Sequence, residues 1–180
     1  MASLSDLHLL VVDDNAQMRH LVRALLRAGG IHRVSEAETA PDALSIMRTH
    51  PIDLVLLDWK MAPIDGLAFA RMVRWDARSP NPYIPILMLT AHTEASRVAA
   101  ARDAGVTGFV KKPISARLLF ERLTSALTDT RMFVRSEDFF GPDRRHGLAP
   151  GYLGPWRRST DRAGAEGGEE FDLDDMRFRA

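Results

Sequence analysis

Between residues 7 and 128, five strand signals, four of them largely apolar runs, alternate with five amphipathic stretches, and little else in the chain restricts the fold as much. The signals cover residues 7–12, 34–37, 54–57, 84–89 and 108–110, of which 34–37 is a short strand with Ser35 and Glu36 inside it. A strand without polar alternation is one covered on both faces, as in a parallel sheet lying between two helical layers. Strict strand–helix alternation makes βα units, and right-handed crossovers put their helices on both sides of one sheet. Nearly half of the 180 residues are hydrophobic. They concentrate before Thr128, so that region has the apolar surface a core requires.

The helical stretches carry their own start and stop signals. Met18, Leu21, Val22, Leu25 and Leu26 fall on one helix face, and Gly29-Gly30 ends it. Thr39 caps a second helix with Pro41 in its first turn and Ala40, Ala43, Leu44 and Met47 along its apolar stripe. Asp65-Gly66 opens a third, with Phe69, Ala70 and Val73 inside. Thr93 or Glu94 starts an alanine-rich helix that stops at Gly105, and Ser115 caps a last one carrying Leu118, Leu119, Leu123 and Leu127. Five strands and five helices of this kind fit an α/β, flavodoxin-like, doubly wound parallel sheet of order 2-1-3-4-5. In that order strands 1 and 3 flank the switch point.

Four of the five strand signals, the apolar ones, end in chemistry. The first ends in Asp13-Asp14, the third in Asp58, the fourth in Thr90 and the fifth in Lys111-Lys112-Pro113. Strand C-terminal ends of an open parallel sheet gather along one edge, so three carboxylates, a hydroxyl and an ammonium meet there. The set suits a divalent cation and a phosphoryl group, and points to phosphoryl transfer onto an aspartate. A carboxylate attacks phosphorus only where the charge on the phosphoryl oxygens is neutralised. Mg2+, held octahedrally by a few carboxylates and several waters, supplies that. Asp13 and Asp14 alone could equally be acids favoured by a helix dipole. Asp58 at the matching strand end tips the reading towards a site.

Composition removes other classes. Net charge is zero and the pI is near 7.0, which gives no general electrostatic grip on nucleic acid or anionic membrane. Without cysteine there are no disulfides, thiolate metal sites or cysteine nucleophiles. No apolar run approaches the roughly 18 residues of a membrane span, and no signal-peptide core is present, so a soluble cytoplasmic protein is expected. His8, His20, His32, His50, His92 and His146 are too scattered for a transition-metal site. Glu36 and Glu38 read as solvated charges, and Trp59 as half-buried.

The character changes after Thr128, so the chain divides into residues 1–128 and a tail, 129–180. The tail holds seven of the twelve glycines, nine arginines and no lysine, and ends in an acidic stretch. That composition suits an irregular segment, disordered or loosely docked. Seven of the thirteen aromatics also lie there, among them Phe139-Phe140, Tyr152 and Trp156, which favours a tail that docks or folds on a partner.

The segment Asp58-Trp59-Lys60-Met61-Ala62-Pro63-Ile64-Asp65-Gly66, with Leu89-Thr90-Ala91 and Lys112-Pro113, resembles the receiver domain of two-component response regulators over residues 7–128. The family segment reads D-x-x-M-P-x-x-D-G; here Ala62 follows the methionine and Pro63 comes one later, with the spacing to Asp65-Gly66 kept. The resemblance implies that a histidine kinase or phosphotransfer protein phosphorylates Asp58. It implies Mg2+ held by Asp13, Asp14, Asp58 and the Lys60 carbonyl. Thr90, Ala91 and Lys112 would line the phosphoryl group, Thr90 and Phe109 would form the switch, and Lys112–Pro113 would be cis. Lys60 lies two residues past the acceptor and His92 two past Thr90, so both are expected to flank the path of a hydrolysing water. The two pull in opposite directions, with Lys60 dominant.

Three other functions compete. A haloacid-dehalogenase-like phosphatase carries Asp-x-Asp after its first strand, which Asp13-Asp14 does not match. A receiver-like scaffold that is never phosphorylated is disfavoured by the complete acidic set. An effector that binds a cyclic dinucleotide through tail arginines is the remaining alternative. The 52 residues of the tail lack a helix-turn-helix pattern, so DNA binding is not expected and output runs through an unidentified downstream protein.

Overall fold

The structure, a computed structural model, describes residues 4–91 and 95–143. A single 3-10 turn precedes five βα units: β1 (His8–Val12), α1 (Ala16–Ala28), β2 (Arg33–Ala37), α2 (Ala40–Thr49), β3 (Leu54–Asp58), α3 (Gly66–Trp75), β4 (Ile86–Thr90), α4 (Ala95–Asp103), β5 (Gly108–Lys111) and α5 (Ala116–Leu127). A short hairpin, β6 (Phe133–Arg135) and β7 (Phe140–Pro142), follows. The five strands form one parallel sheet in the order β2-β1-β3-β4-β5, as the sequence implies. In register, Leu9 lies beside Leu54, Asp58 beside Leu89, and Thr90 beside Lys111.

Side chains alternate across each strand, so each face receives its own core. Leu9, Val11, Leu54, Leu56, Leu87, Leu89 and Val110 meet α1 and α5 through Val22, Leu26, Leu119 and Leu123. Leu10, Val12, Val55, Leu57, Ile86 and Met88 meet α2, α3 and α4 through Ala43, Phe69, Val73 and Val98. Thr39, Asp65 and Ser115 cap α2, α3 and α5, each accepting from a backbone N–H three residues on. The start of α4, where Thr93 or Glu94 is expected, lies outside the described residues.

Four local readings change. Leu21 sits at the solvent edge of α1, 45 % exposed, while Val22 and Leu26 do the burying. The fourth strand begins at Ile86, because the preceding Pro85 has no N–H to give a ladder. Trp59 is buried rather than half-buried. Glu36 is paired with Arg19 and Arg23, and Glu38 with Arg19.

Part of the arginine- and aromatic-rich tail is regular. The hairpin turns on Ser136, whose N–H donates to the Phe139 carbonyl, and Asp143 N donates to Met132 O. It contacts α3 and α4, at the sheet end opposite the aspartates. There Arg74 of α3, only 2 % exposed, donates from Nε and Nη2 to Gly105 O at 3.1 and 2.9 Å, and from Nη1 to Pro82 O at 2.8 Å. The Phe133 ring lies 5.1 Å from its guanidinium carbon. Burial pushes the Arg74 pKa down to about 9, so the group stays charged at neutral pH. Gly105 has φ +84°, and a Cβ there would stand 2.3 Å from the Phe140 carbonyl, so both backbone conformation and close approach require glycine. Tyr83, Phe133 and Phe140 pack edge to face, and Arg131 Nη2 donates to Thr107 O. Residues 144–180, with Tyr152, Trp156 and the remaining tail arginines, lie outside the described residues.

Candidate functional site

The chain leaves β1 through Asp13-Asp14 and enters α1 through Asn15. Asn15 caps the helix by accepting from the N–H groups of Gln17 and Met18. Asp13 Oδ1 accepts from Asn15 N at 2.8 Å, and the Asp13 N–H donates to Ala37 O at 3.2 Å. The Asp13 carboxylate is thereby aimed across the sheet edge at the end of β3. Carboxylate oxygens of Asp13, Asp14 and Asp58 lie within 4.8 Å of one another. Asp13 and Asp58 are buried, at 1 % and 5 % exposure, while Asp14 faces solvent. From beyond β5, Lys112 Nζ donates to Asp58 Oδ1 at 2.6 Å and stands 3.7 Å from Asp13 Oδ2.

Asp13 Oδ2 is buried and has no hydrogen-bond partner, since 3.7 Å to Lys112 is beyond bonding distance. Burial pushes the Asp13 pKa up; the Asn15 N–H opposes this and the neighbouring Asp58 adds to it. A buried lone pair without a donor, inside a cluster of three carboxylates, fits a small hard divalent cation bound through oxygen.

Thr90, Ala91, Phe109 and Lys60 lie on or next to β4, β5 and β3. Thr90 is buried at the last position of β4, and Ala91 follows it on the surface. Phe109 is buried on β5 beside Met88. Lys60 is exposed in the loop after β3, and His92 lies outside the described residues. Lys112–Pro113 is cis, and so is Ala62–Pro63, where the chain departs from the family segment. That loop returns through Gly66, whose N–H donates to Trp59 O. A Cβ on Gly66 would stand 2.3 Å from the Asp58 carbonyl oxygen, so glycine permits the loop to close over the end of β3. Burial here extends to Trp59, the neighbour of Asp58.

One group beside the site escapes sequence reasoning. Arg19, one turn into α1, donates from Nη1 to the Asp13 carbonyl at 2.7 Å and faces Glu36 and Glu38. The signal is present but faint: Arg19 and Arg23 are spaced i, i+4, and Glu36 and Glu38 are spaced i, i+2, so each pair shares a face. Only the β1–β2 pairing brings the two faces together.

The response regulator receiver domain family model matches residues 9–124. The chain belongs to that family, and its receiver is of the chemotaxis type found in two-component signalling. It is 35 % identical over 115 residues to the chemotaxis protein CheY of Pseudomonas aeruginosa, covering 64 % of this chain and 91 % of that one. Against the chemotaxis protein CheY-3 of Vibrio cholerae, identity is 33 % over 118 residues, covering 66 % and 89 %. The solved structure of V. cholerae chemotaxis protein CheY4 superposes with a TM-score of 0.62 at 28 % identity, over 67 % of this chain and 98 % of that one. Among the described residues no helix is long and apolar enough to cross a membrane.

Proposed function

We propose that the chain is a phosphoacceptor switch in which Asp58 receives a phosphoryl group from a histidine kinase or phosphotransfer protein, with Mg2+ as cofactor. The observation that supports this best is the buried, donor-less Oδ2 of Asp13 facing Asp58 and Lys112. Asp13, Asp14 and Asp58, with the Lys60 carbonyl, would hold the cation. When bound it supplies charge neutralisation for the phosphoryl oxygens. Lys112 already engages Asp58 Oδ1, so attack is assigned to Oδ2. A bond forms from that oxygen to phosphorus as the donor's P–N or P–O bond breaks, and the electron pair leaves with the donor group. Lys112 then neutralises part of the new charge, with Thr90 and the small Ala91 beside the phosphoryl group. Thr90 and Phe109, on adjacent strands, carry the conformational response. Lys60 flanks the water path, and the phosphoryl group is long-lived for that reason.

Residues 1–128 form the phosphoacceptor unit in this reading, and output is a cytoplasmic protein–protein contact. The chain catalyses nothing beyond its own phosphorylation and dephosphorylation. A cyclic-dinucleotide role for the tail is less well supported, because the tail arginines among the described residues, Arg131 and Arg135, are already engaged, by Asp129 and Thr107 and by Trp75 and Phe140. Trp59, buried next to the acceptor, gives the test. Its fluorescence should shift when acetyl phosphate is added with Mg2+ and stay constant when Mg2+ is chelated. An equal shift without the cation contradicts the proposal.

A further inference from the structure

We propose that Arg19 is a positioning residue for the cation, acting through the backbone of Asp13. The inference rests on the phosphoacceptor reading of the Asp13–Asp14–Asp58 cluster. Three constraints set the Asp13 geometry: its N–H on Ala37 O, its Oδ1 on Asn15 N, and its carbonyl on Arg19 Nη1 at 2.7 Å. Together they leave Oδ2 as the buried oxygen turned towards Asp58 and Lys112. Arg19 supplies the one cationic donor of the three, and charge-assisted bonds are the stronger kind.

The guanidinium is itself held. Its Nε lies 3.5 Å from Glu36 Oε2 and its Nη2 3.8 Å from Glu38 Oε2, while Arg23 fixes Glu36 at 2.7 Å. Arg19 therefore ties the end of β2 to the loop that carries two of the three carboxylates. The two glutamates also offset its charge, so that Lys112 remains the cation inside the acidic cluster. Arg19 touches neither Asp58 nor the reacting atoms.

The experiment is Mg2+ titration of the full chain by Trp59 fluorescence, with thermal melts in EDTA and in saturating Mg2+. Arg19→Met keeps the apolar stem and removes the donors. Loss of an outer partner of a metal ligand costs about 10–100-fold in affinity, so Mg2+ binding should weaken about tenfold. The rise in melting temperature on adding Mg2+ should shrink accordingly, while acetyl phosphate labelling recovers at high Mg2+. Arg19→Lys, a cation able to reach the Asp13 carbonyl, should restore part of the affinity. A purely structural Arg19 would lower both melts equally and leave the titration unmoved, and that result overturns the inference. If Arg19→Met does not fold, the Glu36→Gln, Glu38→Gln pair frees the guanidinium from the other side; unchanged Mg2+ affinity there overturns it as well. A wild-type chain that shows no Mg2+ response contradicts the phosphoacceptor reading itself and so is distinguishable from failure of the Arg19 proposal.

Discussion

Asp13 is a carboxylate arranged against its own charge. Burial and the nearby Asp58 favour its protonated form, so the ionised cluster strains the fold at neutral pH. In the phosphoacceptor reading, stability is given up here for function, as active sites commonly require. Asp13→Asn keeps an oxygen acceptor for Asn15 N but removes the charge. In EDTA this variant should melt above wild type, and Mg2+ should not move it. Wild type at about 100-fold excess of Mg2+ over its Kd should gain about 2.7 kcal/mol. Calorimetry with and without EDTA checks both; a destabilised, Mg2+-responsive variant would contradict the account. Gly66 is the second decisive residue. Gly66→Ala drives a Cβ into the Asp58 carbonyl and should cost about 1–3 kcal/mol in urea unfolding, with slower phosphorylation.

Among the elements, the hairpin matters most because it covers a charge. Phe133 and Phe140 close over the end of α3, where Arg74 is buried with carbonyls as its hydrogen-bond acceptors. Phe140→Ala should destabilise the full chain by about 3–5 kcal/mol, measured by denaturant unfolding. A change below 1 kcal/mol would mean that the hairpin adds little to the fold. These elements also show where sequence reasoning succeeds and stops. β1, β3 and β4 are readable because a strand buried on both faces leaves an unbroken apolar run, and α2, α3 and α5 because Thr39, Asp65 and Ser115 mark their starts. The hairpin is not readable as a hairpin. Its three-residue strands carry no alternation, and what stabilises it is Arg74, about sixty residues earlier. Asp13, Asp14, Asp58, Thr90 and Lys112 are visible because strand ends converge in any such sheet. Arg19 is not, since its pairing with Glu36 and Glu38 depends on the register between β1 and β2.

At the scale of the molecule, the two ends of the sheet have different duties. One gathers the carboxylates; the other is closed by the hairpin and by His8, buried at the start of β1 with Nε2 2.8 Å from Ser35 Oγ. Burial lowers the His8 pKa below 6.5, with Arg33 and His50 adding to this and Asp53 opposing it. The unfolded chain then binds more protons than the folded one below pH 6.5, so this contribution is complete above that value and is lost as pH falls. His8→Gln should flatten the loss of melting temperature between pH 7.5 and 5.5; an unchanged slope would exclude His8 as its source. The central claim concerns the other end and asks for one measurement. Wild type and Asp58→Asn are incubated with acetyl phosphate and Mg2+, and their intact masses are recorded before and after hydroxylamine. The account predicts a single hydroxylamine-labile phosphoryl group on wild type and none on Asp58→Asn; equal labelling of the two proteins would contradict it.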